Sequence, residues 1–210
     1  MSQSILESQP KKDTKSATTE RARNIAQGSN AGVPDFSKLV ADHRAYFLSG
    51  VAHSAEWRES QLIALRSMLK DHAEDFYAAL WSDLRRNRIE ADLVDVKCTT
   101  SEIDHVLAHF RRWMKPVPIS TPYQLASSHG EVRFDPLGVG LIIGTWNYPL
   151  MLTLSPLVAA ISAGNCAIIK PSEVSPATGE ALARFLPEYL DRKAFSDVLG
   201  AVPETTALLE

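Results

Sequence analysis

Val139-Gly140-Leu141-Ile142-Ile143-Gly144-Thr145-Trp146-Asn147-Tyr148-Pro149 passes from an apolar run through a glycine and a polar corner to a proline. A short apolar run closed by a turn residue is the pattern of a strand buried in a parallel sheet, and proline suits the first position of a helix. We therefore read a strand over 139–143 and a helix from Pro149 to Ala163, kinked by the internal Pro156 and ended by Gly164. The alternation then repeats, with a strand from Ala167 to Lys170, a helix from Pro176 to Tyr189 and a strand from Ser196 to Leu199. Strands and helices in this order predict an α/β fold, with residues 136–210 forming the first half of a doubly wound parallel, Rossmann-like sheet.

Upstream the pattern changes. Residues 35–118 read as an amphipathic helical layer: Phe36, Leu39, Val40, His43 and Phe47 share one face, and Trp57, Leu62, Leu65, Met68 and Leu69 share another. Ser54 is placed to cap one helix, and Asp71 with Glu74 resembles a capping box for the next. A further helix is expected over Ile103–Trp113, started near Thr100 or Ser101 and stopped by Pro116 and Pro118. Residues 119–135 read as a hairpin arm, with strand-like Thr121, Tyr123 and Leu125 facing Glu131 to Phe134 across Ser127, Ser128 and Gly130. Residues 1–34 are polar, lack sustained periodicity and read as a disordered leader.

Composition narrows the function classes. The 210 residues carry a formal net charge of -3 and a pI near 6.1, which gives no electrostatic reason to expect nucleic acid as a partner. The cysteines, Cys98 and Cys166, make neither a Cys-x-x-Cys pair nor a zinc-ligand set with histidine, so no metal is expected and a reducing, cytoplasmic setting fits. No apolar stretch approaches the roughly 20 residues of a membrane-spanning helix. No signal-peptide core is visible near Met1.

Two runs stand where open α/β sheets place ligands, just beyond the carboxyl ends of strands. In the first, the Asn147 amide could donate to an oxygen gathering negative charge in acyl chemistry, although capping the next helix is the plainer use of an asparagine there. In the second, Lys170-Pro171-Ser172-Glu173, a lysine and a carboxylate could both reach ribose hydroxyls. Gly138-Val139-Gly140 precedes its strand and lacks the Gly-x-Gly-x-x-Gly spacing, so it is not read as a dinucleotide fingerprint.

Pro136-Leu137-Gly138-Val139-Gly140, Gly144 to Pro149, Ser162-Ala163-Gly164-Asn165 and Lys170 to Glu173, in this order and spacing, resemble the aldehyde dehydrogenase superfamily. The wording of Gly144 to Pro149 and the later Val202-Pro203-Glu204-Thr205-Thr206 look most like its class 3 and fatty-aldehyde group. The resemblance implies an enzyme that oxidises a small-molecule aldehyde to a carboxylic acid with NAD, NADP being possible. It assigns Asn147 as an oxyanion donor, Thr145 and Trp146 to the nicotinamide side, and Lys170 and Glu173 to the adenosine ribose. Glu173 would repel a 2'-phosphate, which favours NAD. The arm implies a homo-oligomer in the full-length form.

In full members a cysteine thiolate attacks the aldehyde and a glutamate-activated water releases the acid. Neither residue is matched here, nor is the family's second glycine motif, and Ala201 stands where relatives often show glycine. Cys166, at the entry of a buried strand without a neighbouring base, reads as a core thiol. The expectation is an N-terminal portion that is inactive alone. The alternatives are a non-catalytic module that pairs with a full-length relative, and a generic Rossmann-like nucleotide binder.

Overall fold

The computed structural model describes residues 34–125 and 127–210. Apart from Pro34, the stretch read as a leader lies outside the described residues.

Helix α1, Ser37–Leu48, ends in a left-handed turn at Gly50 and a 3-10 turn, Val51–His53. Helix α2, Ala55–Asp71, starts as the sequence predicts, with the Ser54 hydroxyl accepting from the Trp57 N–H at 3.2 Å. The capping box expected at Asp71 and Glu74 does not form. Helix α3, Ala73–Leu84, begins at His72 without a side-chain cap. Asp71 instead accepts from the Tyr189 hydroxyl at 2.9 Å, and Glu74 pairs with Arg88. Partners distant in sequence take both carboxylates.

The next helix starts well before Thr100. Asn87 caps the turn Arg88–Glu90, which runs into a π-helical stretch, Ala91–Lys97, and then into α4, Cys98–Trp113. Thr99 and Thr100 turn their hydroxyls back onto the carbonyls of Asp95 and Lys97, the helix-interior use of threonine, and so start nothing. The helix ends ahead of Pro116, as expected.

The arm is shorter than its sequence implies. Strand β1, Val117–Ile119, pairs antiparallel with β2, Gly130–Val132, placing Val117 opposite Val132 and Ile119 opposite Gly130. Tyr123–Leu125, read as strand, forms a 3-10 turn. Pro118 sits inside β1, which a two-stranded ribbon allows because, among the described residues, each strand has an unpaired edge.

The α/β part follows the predicted alternation: β3 Val139–Ile143, α5 Met151–Ala163, β4 Cys166–Lys170, α6 Pro176–Tyr189, β5 Phe195–Asp197 and α7 Val202–Leu209. The three strands are parallel in the order β3-β4-β5, with Ile143 opposite Lys170 and Ile169 opposite Asp197. Central β4 is buried along its whole length, as a parallel strand covered on both faces requires. Helix α5 begins at Met151, so Pro149 precedes it instead of opening it. The last strand is set slightly earlier than its apolar residues imply.

One core joins the helical layer to the helices of the sheet. Leu62, Leu65 and Leu69 of α2, Phe76 and Leu80 of α3, and Ile103 and Phe110 of α4 are buried together with Leu154, Leu157 and Ile161 of α5 and Leu182 and Phe185 of α6. Asn165 ties the start of the sheet: its side-chain oxygen accepts from the Gly138 N–H at 2.9 Å, where Gly138 takes a φ of 133°. Ala201 is accommodated because the positive φ falls on Gly200, at 154°, while Ala201 sits at −118°.

Candidate functional site

The two sequence runs meet at one edge of the sheet. Ile143 and Lys170 end adjacent strands in register, and the Gly144 N–H donates to the Lys170 carbonyl at 2.8 Å. Thr145–Asn147 and Pro171–Glu173 therefore leave the sheet side by side. The Ser175 hydroxyl joins them, donating to the Trp146 carbonyl at 3.1 Å. Gly144 has to be small, since a Cβ there would collide with Thr153 Oγ1 of α5 and crowd Pro171.

Thr145, Trp146 and Asn147 are exposed, and Trp146 presents 56% of its surface. Asn147 is not a helix cap. Leu150 holds the cap position of α5 with no side-chain hydrogen bond, and among the described residues no protein group bonds the Asn147 amide. The plainer use of this asparagine is thereby removed, and its donors are not taken up by the described residues.

Lys170 is buried at 1% exposure and donates to Glu173 Oε2 at 2.9 Å and to the Pro171 carbonyl at 3.0 Å. The Glu173 side chain stays 41% exposed. Its carboxyl is held below the ordinary carboxylate range, chiefly by the hydrogen bond from Lys170. Lys170 thus orients a charged carboxylate through one oxygen on a side chain that stays part-exposed, an arrangement suited to accepting from a hydroxyl pair.

The helix N-termini beside these loops are already occupied. Asp95, fully buried, accepts from the Met151 N–H of α5 at 3.3 Å. Asp83 accepts from the Ala177 and Thr178 N–H groups of α6 and from the Thr178 hydroxyl, at 3.0, 2.8 and 2.8 Å. A pyrophosphate, which an ordinary dinucleotide fold receives at such an end, would meet a carboxylate at either helix. This argues against the generic Rossmann-like alternative.

Sequence reasoning missed Arg86, which lies beneath the Asn147 turn. Its Nη2 donates to the Asn147 carbonyl at 2.6 Å, its Nη1 bonds Asp95, and its guanidinium carbon stands 4.5 Å from the centre of the Tyr148 ring. No local pattern points to it, because the groups it bonds lie 9 and 61 residues along the chain.

Cys166 offers no nucleophile. It is fully buried, and burial, followed by the charge of Asp191, pushes its thiol up to about 11. Cys98 is exposed and lies on α4.

The sequence profile described as "Aldehyde dehydrogenase family" matches residues 6–210. The chain is 40% identical over 174 residues to the dimeric NADP-preferring aldehyde dehydrogenase of Canis lupus familiaris, covering 83% of this chain and 38% of that protein. It is 42% identical over 175 residues to aldehyde dehydrogenase family 3 member B1 of Rattus norvegicus, covering 83% of this chain and 37% of the relative. The substrate-bound AldH of Staphylococcus aureus superposes with a TM-score of 0.82 at 31% identity, covering 84% of this chain and 38% of that one. The chain thus spans well under half the length of the relatives it matches. Over that span the fold, the order of its motifs and these likenesses agree: the chain belongs to the aldehyde dehydrogenase family.

Proposed function

We propose that this chain is the N-terminal part of an NAD-dependent aldehyde dehydrogenase, in which Asn147 donates to the substrate oxygen and Glu173, oriented by Lys170, holds the adenosine ribose. The reading is carried by the placement, just past adjacent strand ends, of an Asn147 amide that no described protein group bonds and a part-exposed Glu173 carboxylate. NAD, when bound, supplies the hydride acceptor. The residues here bind and orient: Asn147 stabilises the oxygen as a nucleophile adds to the carbonyl carbon, and Thr145 and Trp146 form the wall assigned to the nicotinamide. The reading assigns the nucleophile to the part of the family fold outside the span matched here.

The test is aldehyde-dependent reduction of NAD by the chain joined to the remaining segments of the family fold. Loss of aldehyde-dependent reduction under every cofactor condition would sink the reading. Glu173→Gln addresses the cofactor. The amide keeps the shape and removes the charge, so NAD affinity should fall by roughly 10-fold or more, the value of a charge-assisted hydrogen bond, while NADP affinity holds or rises. Parallel losses for both cofactors would show that Glu173 does not face the ribose 2' position.

We also infer a homo-oligomer built through the arm. Val117, Ile119, Tyr123, Leu125 and Phe134 expose between 50% and 91% of their surfaces, and among the described residues both β1 and β2 keep unpaired edges. Light scattering of the extended protein should report a multimer, and Ile119→Lys with Phe134→Lys should shift it to monomer. A monomeric parent contradicts the inference. The free thiols fit the reducing cytoplasm expected from the sequence.

A further inference from the structure

Asn147 lies in the turn between β3 and α5, so neither helix nor strand fixes the direction of its amide. The turn is fixed by one buried ion pair. Arg86, with 8% of its side chain exposed, bonds Asp95, which has none exposed. The same guanidinium holds the Asn147 carbonyl at 2.6 Å and packs against the Tyr148 ring. The other Asp95 oxygen holds the Met151 N–H at 3.3 Å, where α5 begins. Residues 147, 148 and 151 are thus tied from below to a single pair, while Ser175 ties residue 146 from the neighbouring loop. Glu90 adds a looser partner, 3.5 Å from Arg86 Nε.

The π-helical stretch Ala91–Lys97 belongs to the same device. It inserts a wider turn in which Asp95 is buried, and the Thr99 hydroxyl braces the Asp95 carbonyl at 2.7 Å. Stability alone does not account for this construction, because an apolar pair of similar volume is often as stable as a buried ion pair. A planar guanidinium can instead hold a carboxylate and a carbonyl at fixed angles to each other.

We propose that Arg86 and Asp95 are a positioning pair that sets the direction of the Asn147 amide, an inference that rests on reading Asn147 as the oxyanion donor. The pair touches neither substrate nor cofactor. Its effect belongs in kcat and passes through Asn147.

The experiment is a thermodynamic cycle in the chain extended with the remaining family segments. Arg86→Met combined with Asp95→Leu removes both charges and leaves none unpaired. This double variant should lower kcat roughly 10- to 100-fold with the aldehyde KM and NAD affinity within about threefold of the parent. The triple variant that adds Asn147→Ala should turn over no more slowly than Asn147→Ala by itself, because the aim of an absent amide is immaterial. Losses that multiply in the triple variant, or parent-like turnover in the double, overturn the proposal. Arg86→Lys keeps the charge without the fork, so it should melt near the parent yet lose about fivefold or more in kcat. Parent-like kcat in Arg86→Lys overturns the proposal even if the double variant fails to fold. Asn147→Ala at parent turnover sinks the oxyanion reading itself, a separate outcome.

Discussion

Asn147→Ala should lower kcat by about 10²- to 10³-fold in the extended protein while leaving its melting temperature unchanged. The two halves of this expectation come from the same observation. The Asn147 amide is bonded to no described protein group and caps no helix, so truncating it removes nothing that holds the fold. Its carbonyl, which does hold the turn through Arg86, belongs to the backbone and survives the substitution. The loss should therefore fall on the step in which the substrate oxygen gathers charge. Asn147→Asp sharpens the test: the shape is kept, the donor is lost, and a negative charge is placed beside the forming oxyanion. Its turnover should lie below that of Asn147→Ala, because repulsion replaces a missing attraction. Steady-state kcat with aldehyde and NAD both saturating is the measurement. If Asn147→Ala unfolds the protein, or if both variants match the parent, the amide serves some other purpose.

The corner was legible in the sequence because its signals are local. An apolar strand, a glycine, a polar turn and a helix lie within one short stretch, and the alternation of short apolar runs with helical segments placed β3 to β5 and α5 to α6 within a few residues. What the sequence hid acts at a distance. Asp83 caps α6 from another helix, across 94 residues of chain, so no pattern beside Pro176 points to it. Arg86 lies 61 residues from the carbonyl it holds. The misplaced start of α4 has the same origin: a π stretch breaks the 3.6 period, and the threonines that resemble a cap bond backward into the helix. In the arm, alternating Thr121, Tyr123 and Leu125 mimic a strand, yet the pairing register fixed by Val117 and Val132 leaves them in the turn. Local chemistry pointed to the candidate corner, and tertiary contacts determine how that corner is held.

Gly164→Ala should cost about 3 kcal/mol or more of stability, combining backbone strain of roughly 1–2 kcal/mol with a steric clash. Gly164 closes α5 at a φ of 81°, a conformation an alanine adopts reluctantly, and a Cβ there would overlap the Arg58 guanidinium. That guanidinium cannot retreat. It donates to the carbonyls of Ala52, His53 and Ser162 at 3.3, 2.9 and 3.1 Å, tying the turn before α2 to the end of α5. Burial lowers its pKa, and no carboxylate joins it among the ion pairs of the described residues, so those carbonyls are its whole compensation. Arg58→Met should itself cost about 3 kcal/mol, since the carbonyls lose a charged donor without gaining water. The decisive variant is the pair together. With Met at 58 the clash at 164 disappears and only the backbone strain remains, so the double variant should be less destabilised than the sum of its singles by about 1 kcal/mol or more. Urea unfolding at fixed pH measures all four corners. Strict additivity would mean that Arg58 is not the group a side chain at 164 meets, and that the glycine is held by its backbone conformation alone.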